Sequence, residues 1–309
     1  MPSGIHHVTS IAGSARRNLD FYTGTLGLRL VKKTVNFDDP GSYHFYYGDA
    51  AGHPGTILTF FAWEGAAPGR LGIGEPQETV FSIPEGSLGY WAQRLVEKGV
   101  AHDPPMKRFG ATAIALKDQD GTRLALTGVK GVEAKPGWSA GGVPAEHAIR
   151  GFHSVSLLLA EAGPTAAILT DVFGFVAGGR EGATQRYQAP GVDLGGIVDL
   201  RTAGEFLSAR QGAGSVHHIA FRAADDAAQA AMVRKLIQDH HLQTTEQKDR
   251  NYFRSVYFRE PGRVLFEIAT DPPGFAIDES PDSLGRALKL PPFLEGRRSA
   301  IEAALPKLD

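Results

Sequence analysis

A strand, a helix and three further strands recur four times along this 309-residue chain, and that repeat limits the fold more than any other feature. In the first unit, residues 5–10 form an apolar strand and Ser14 is placed to cap a helix whose apolar face includes Leu19, Tyr22 and Leu26. Strands are expected next at 30–37, 43–47 and 56–62. The second unit predicts a strand at 79–83, a helix over 87–98, and strands near 101–107, 111–117 and 123–126, with Asp120-Gly121 as a turn signal. The third predicts strand 152–158, helix 164–172, and strands near 175–179, 184–188 and 195–199. The fourth predicts strand 216–221, helix 225–239, and strands 243–247, 252–258 and 263–269. Thirty-eight glycines and nineteen prolines between short apolar runs fit many short strands joined by turns. Such a chain is α+β, built of mainly antiparallel sheets. Residues 128–148, rich in Gly, Pro, Ala and Lys, read as a linker, so 1–130 and 146–275 each hold two units. The tail, 276–309, carries an amphipathic helix at 294–305 that packs across the body or a homo-oligomer interface.

Several function classes drop out. A formal charge of -2 and no basic stripe argue against nucleic acid. No apolar run approaches the roughly 20 residues of a membrane helix. Met1-Pro2-Ser3-Gly4 leads straight into a strand with no signal-peptide pattern, so the expected compartment is cytoplasmic. Cysteine is absent, which leaves nitrogen and oxygen as the ligands for any metal.

Three strands carry ionisable residues in apolar surroundings: Ile-His6-His7-Val-Thr, Val-His217-His218-Ile-Ala-Phe and Arg-Val-Leu-Phe-Glu267-Ile. A buried ionisable side chain has to be paired or metal-bound. Strands alternate their faces. If Val8, Ile219, Phe221, Phe266 and Ile268 face the helices, then His7, Thr9, His218 and Glu267 point the other way, and His6 and His217 fall off that face. Each of these residues alone is more often structural. Two double-histidine strands at matching places in two repeat units, joined by a glutamate, favour a mononuclear metal site with open positions. His44, His53, His102 and His147 show no partner pattern. His240-His241 ends a helix, where positive charge suits the dipole. His153 aligns with His6, and Ser154 holds the third unit's ligand position.

The segment Asn18-Leu-Asp-Phe-Tyr-Thr-Gly-Thr-Leu-Gly-Leu resembles the helix signature of the vicinal oxygen chelate superfamily of glyoxalases, bleomycin-resistance proteins and extradiol dioxygenases. The stretch from Asp249 to Phe275 and the tail Leu288-Lys-Leu-Pro-Pro-Phe-Leu-Glu-Gly-Arg-Arg resemble ring-cleaving dioxygenases of the hydroquinone 1,2-dioxygenase type. The resemblance implies four βαβββ modules in two open barrels. It implies His7, His218 and Glu267 as iron ligands, with His6, Thr9, His217, Arg250 and Tyr257 around them. One ligand then comes from the first unit and two from the fourth, so these units share a barrel and the second and third form a metal-free partner.

On this reading Fe(II) binds a small aromatic substrate and O2 side by side, and manganese suits the same ligands. Arg250 would stabilise an anion. Tyr257 would hydrogen-bond the phenolate or the oxygen-derived group, and His217 or His6 would either move protons or orient their neighbours by hydrogen bonds. A hydroquinone cannot chelate through both hydroxyls, so other groups must position its remote end. The alternatives are a catechol extradiol dioxygenase, a glyoxalase-type lyase or isomerase, and a metal-free aromatic-binding resistance protein. An isomerase normally needs a fourth protein ligand, and counting from Gly55 puts Phe60 at that place.

Overall fold

The computed structural model describes residues 3–308. The first unit contains β1 (Ile5–Ala12), α1 (Ala15–Leu19), β2 (Arg29–Val35), β3 (Tyr43–Gly48) and β4 (Ile57–Ala62). The second contains β5 (Glu75–Pro84), α2 (Leu88–Glu97), β6 (Met106–Arg108), β7 (Ala111–Lys117) and β8 (Arg123–Val129). The third contains β9 (Gly151–Leu159), α3 (Gly163–Asp171), β10 (Val176–Glu181), β11 (Thr184–Gln188) and β12 (Ile197–Thr202). The fourth contains β13 (Val216–Ala223), α4 (Asp226–Gln238), β14 (Lys248–Asp249), β15 (Phe253–Arg259) and β16 (Leu265–Pro273). The tail adds α5 (Pro292–Glu295) and α6 (Arg298–Ala304).

The units pair out of sequence order. One eight-stranded sheet runs β14-β15-β16-β13-β1-β4-β3-β2, joining the fourth unit to the first; the other runs β10-β11-β12-β9-β5-β8-β7-β6, joining the third to the second. The seams are the antiparallel pairs β1–β13 and β5–β9. These first strands are apolar on the helix face, so each seam is buried at the centre of a sheet. Val8, Leu58, Phe60, Ile219, Phe221, Phe266 and Ile268 are fully buried in the core that the helices cover. Tyr22, beyond the end of α1, packs on Tyr47 and Phe60 with ring centroids 5.2 and 4.5 Å away.

The concave face of the first sheet is closed by a smaller apolar cluster that includes Tyr46, Phe253, Phe275 and Leu284. Phe275 immediately precedes the tail and Leu284 belongs to it, and the tail is held down by Lys32. That lysine is fully buried and pairs with both Asp278 and Glu279. Residues 68–73 and 208–213 cross between the sheets side by side, with bridges at Pro68–Ala213, Arg70–Arg210 and Ile73–Ser208.

Local departures from the expected elements have identifiable causes. Ser14 stands at the helix cap position, but its side chain makes no cap; the Ala15 N–H is taken by Glu64 instead, at 2.7 Å. The helix then widens after Leu19, with Leu26 N bonded to Phe21 O. It ends at Gly27, where φ is +70° and an added Cβ would lie 2.9 Å from Ala140 O. The expected strand at 101–107 is reduced to β6 and a separate single bridge, His102–Leu116; the expected strand at 243–247 is replaced by a single bridge, Thr244–Phe258, with the short edge strand β14 forming just after it. The expected helix at 294–305 is broken between α5 and α6 at Gly296-Arg297.

Candidate metal centre

β1 and β13 each contain a bulge at their first histidine. Register runs Ile5–Phe221 then His7–Ala220, and Thr9–His218 then Ser10–Val216, which leaves His6 and His217 unpaired. A bulge suspends strict alternation and re-aims side chains. His6 and His217 are therefore not turned away as alternation predicted. Each ring sits 5.1 Å from that of its neighbour. His6 Nδ1 lies 2.9 Å from His7 Nδ1, and His217 Nδ1 lies 2.8 Å from His218 Nδ1. With Nδ1–H of His7 and His218 donating, both turn a bare Nε2 toward one point.

Glu267 completes that point from β16, where it registers with Ala220. Its Oε2 is 2.9 Å from His218 Nε2 and 3.3 Å from His7 Nε2, and the two nitrogens are 3.3 Å apart. The side chains are 0%, 4% and 2% exposed for Glu267, His218 and His7, so water does not solvate the cluster. Ser255 donates to Glu267 Oε1, while Oε2 has no hydrogen-bond donor despite its burial. In that tautomer three acceptor atoms face one another, an arrangement that either a shared proton or a cation satisfies. An octahedral ion with bonds of about 2.1 Å needs donors about 3 Å apart across one face, close to this triangle. The group can therefore hold a metal ion. Burial alone would raise the Glu267 carboxyl, yet His7 and His218 hold it well below the usual range. Burial pushes His218 down, and with the neighbouring His7 it pushes His6 well down. Burial and His218 push His217 down to about 3.

The other expected residues surround a cavity at this centre. Arg250 Nε is 3.3 Å from Tyr257 OH, and Arg250 Nη2 is 3.1 Å from Asp38 Oδ2. Tyr257 stands opposite Glu267 in the β15–β16 register, its ring edge-on to His218 at 5.7 Å. Burial and the Glu267 charge raise its phenol, so it stays a neutral donor. Thr9 accepts from Thr59 Oγ1 at 2.9 Å.

His44, set aside from sequence, also lines this cavity. Its Nε2 is 2.8 Å from Thr59 Oγ1 and its Nδ1 is 3.0 Å from Tyr46 OH, which joins it to Thr9. The signal was present: His44 and Tyr46 share one face of their strand, opposite Tyr43, Phe45 and Tyr47. Ser255 was likewise legible, in phase with Tyr257. Phe60 is not the counterpart of Glu267. Thr9 registers with Thr59 as Ala220 does with Glu267, so Thr59 holds that place and Phe60 faces the core. No carboxylate stands there in either case.

Comparisons with known proteins agree with this architecture. The sequence profile of the Glyoxalase/Bleomycin resistance protein/Dioxygenase superfamily matches residues 4–126. The chain is 44% identical over 302 residues to "Putative ring-cleaving dioxygenase MhqO" of Bacillus subtilis, covering 98% of this chain and 95% of that one. It is 34% identical over 305 residues to "Chlorohydroquinone/hydroquinone 1,2-dioxygenase" of Sphingobium indicum, covering 96% and 94%. Among solved structures, "putative dioxygenase from Bacillus subtilis" superposes with a TM-score of 0.93 at 42% identity, covering 100% of this chain and 98% of that one. Glyoxalase I from Zea mays shares the fold at 12% identity, with a TM-score of 0.66 over 87% of this chain and 92% of its own.

Proposed function

We propose that this chain, which belongs to the glyoxalase/bleomycin resistance protein/dioxygenase superfamily, is an Fe(II)-dependent dioxygenase that opens a hydroquinone-type ring with O2. The observation that carries the reading is the buried convergence of His7 Nε2, His218 Nε2 and Glu267 Oε2 with no hydrogen-bond donor on Oε2. The relatives' names supply the reaction class. Two imidazoles and one carboxylate on one face suit ferrous iron, and manganese by the same donor chemistry. When bound, the metal would bring a phenolate oxygen and O2 together and carry electron density between them.

The chain's own residues have separate tasks in this proposal. His6 and His217 fix the tautomer and ring orientation of His7 and His218 through the Nδ1 contacts, and Ser255 fixes the carboxylate. Arg250 holds a permanent positive charge beside the cavity and polarises the Tyr257 hydroxyl. Tyr257, kept neutral, donates to the oxygen of a bound phenolate. Thr9 and the His44–Thr59 chain keep a polar wall beside His7. Thr59 in place of a fourth carboxylate disfavours the isomerase reading. The first and fourth units would thus carry the chemistry, with residues 1–130 giving one ligand and 146–275 two.

Oxygen uptake by the chain loaded anaerobically with Fe(II) tests this against hydroquinone, methylhydroquinone, chlorohydroquinones and catechol. Uptake with hydroquinones, matched by loss of aromatic absorbance, is expected. Uptake with catechol alone would move the substrate class. No uptake despite bound metal would refute the dioxygenase reading.

A further inference from the structure

The second sheet encloses a cavity of about 550 Å³ on its concave face, whereas the space beside the histidine–glutamate centre is about 30 Å³. The start of the tail explains the difference: Leu284, with Phe275 just before the tail, fills the first sheet's concave face, and among the described residues no such segment fills the second. The open cavity falls in the size range of small-molecule sites.

Its floor is polar and differs from the metal centre. Ser156 registers with Glu78 as Thr9 does with His218, and Val80 with Ala125 as Ala220 does with Glu267. Ser154, Glu78 and Ala125 thus occupy the places of His7, His218 and Glu267, a set that cannot form the triad. Glu78 is instead bound by Arg108. Arg186, 8% exposed, spends two nitrogens on Asp199 at 2.8 Å each. Its third nitrogen, Nη1, has no protein partner among the described residues, and its guanidinium carbon lies 3.9 Å from the centre of the Phe109 ring. A scaffold sheet has no need of a charged pair buried against an empty space, since such a pair adds little stability.

Positive charge is in excess on the walls. Lys117, Arg123 and Arg201 have no ion pair among the described residues. The carboxylates left unpaired there are Asp103 and Glu181, and Glu181 already accepts from Phe109 N at 2.7 Å. Burial and the Arg186 charge push His153 down to about 4, so it adds no charge and stays a hydrogen-bonding group. Val80, Met106, Phe109 and Leu116 supply apolar surface.

We propose that this cavity is a second binding site, separate from the metal centre, for a small organic carboxylate with an apolar or aromatic body. The free Arg186 arm and the unpaired wall cations recognise the carboxylate. The Phe109 side takes the apolar body, and a cationic ligand is repelled.

The test is calorimetric titration of the purified full chain with benzoate, adipate, benzamide and inorganic phosphate. It is repeated on Glu267→Gln and on the double variant Arg123→Gln, Arg201→Gln, whose exposed side chains leave the fold intact by circular dichroism. The expected result is saturable benzoate or adipate binding at least about tenfold tighter than benzamide or phosphate. Glu267→Gln retains it and the double variant loses about tenfold or more. No saturation by either carboxylate up to about 10 mM overturns the proposal. So does equal affinity for benzamide or phosphate, or binding lost in Glu267→Gln and unchanged in the double variant.

Discussion

Replacing Glu75 should relieve a loss of stability that grows as pH rises above about 4.5 and is complete above about 7. The residue lies where the two crossing segments meet, 4% exposed, with Oε1 accepting from Gly72 N at 3.0 Å and Oε2 buried without a partner. Burial raises its carboxyl from the ordinary 4.5 to about 7, against the lowering effect of the Gly72 N–H. Between those values the folded chain keeps a proton that the unfolded chain has released. The stability this proton contributes is therefore present at low pH and lost as pH rises through about 7. The rise corresponds to roughly 3 kcal/mol, and the adjoining solvent-filled cleft reduces it to about 1–3 kcal/mol. Glu75→Gln keeps the acceptor for Gly72 and removes the ionisation. Melting of parent and variant, followed by circular dichroism from pH 5 to pH 8.5, measures the effect. The melting-temperature advantage of the variant should grow by about 2–6 °C across that range. An advantage that stays constant or shrinks as pH rises would refute the burial argument.

Other expectations follow from the same geometry. Glu267→Gln should purify with little iron or manganese and no ring-cleaving activity while keeping its fold, checked by metal analysis and circular dichroism; full activity with iron retained would remove the triad. His6→Ala and His217→Ala should each weaken metal affinity by about 10–100-fold, measured by competition with a chelator, because they hold the ligand rings rather than the metal. Lys32→Met strands Asp278 and Glu279, partly or fully buried, without their cation. It should destabilise by about 3–5 kcal/mol in denaturant unfolding and expose the tail after Phe275 to limited proteolysis.

What the chain determines locally was readable in its pattern. The α+β class, four repeats, most strand positions and the shared face of His7, His218 and Glu267 all follow from periodicities of 2 and 3.6, which depend on neighbouring residues alone. Tertiary structure decided the rest. The bulges that bring His6 and His217 against the ligands arise from pairing across the β1–β13 seam, whose partners lie more than 200 residues apart. The tail that fills one concave face, the place of Thr59 as the first unit's counterpart of Glu267, and the recruitment of His44 depend on the same long-range register. A one-residue slip moves a strand's side chains to the other face, and only the partner strand fixes that register.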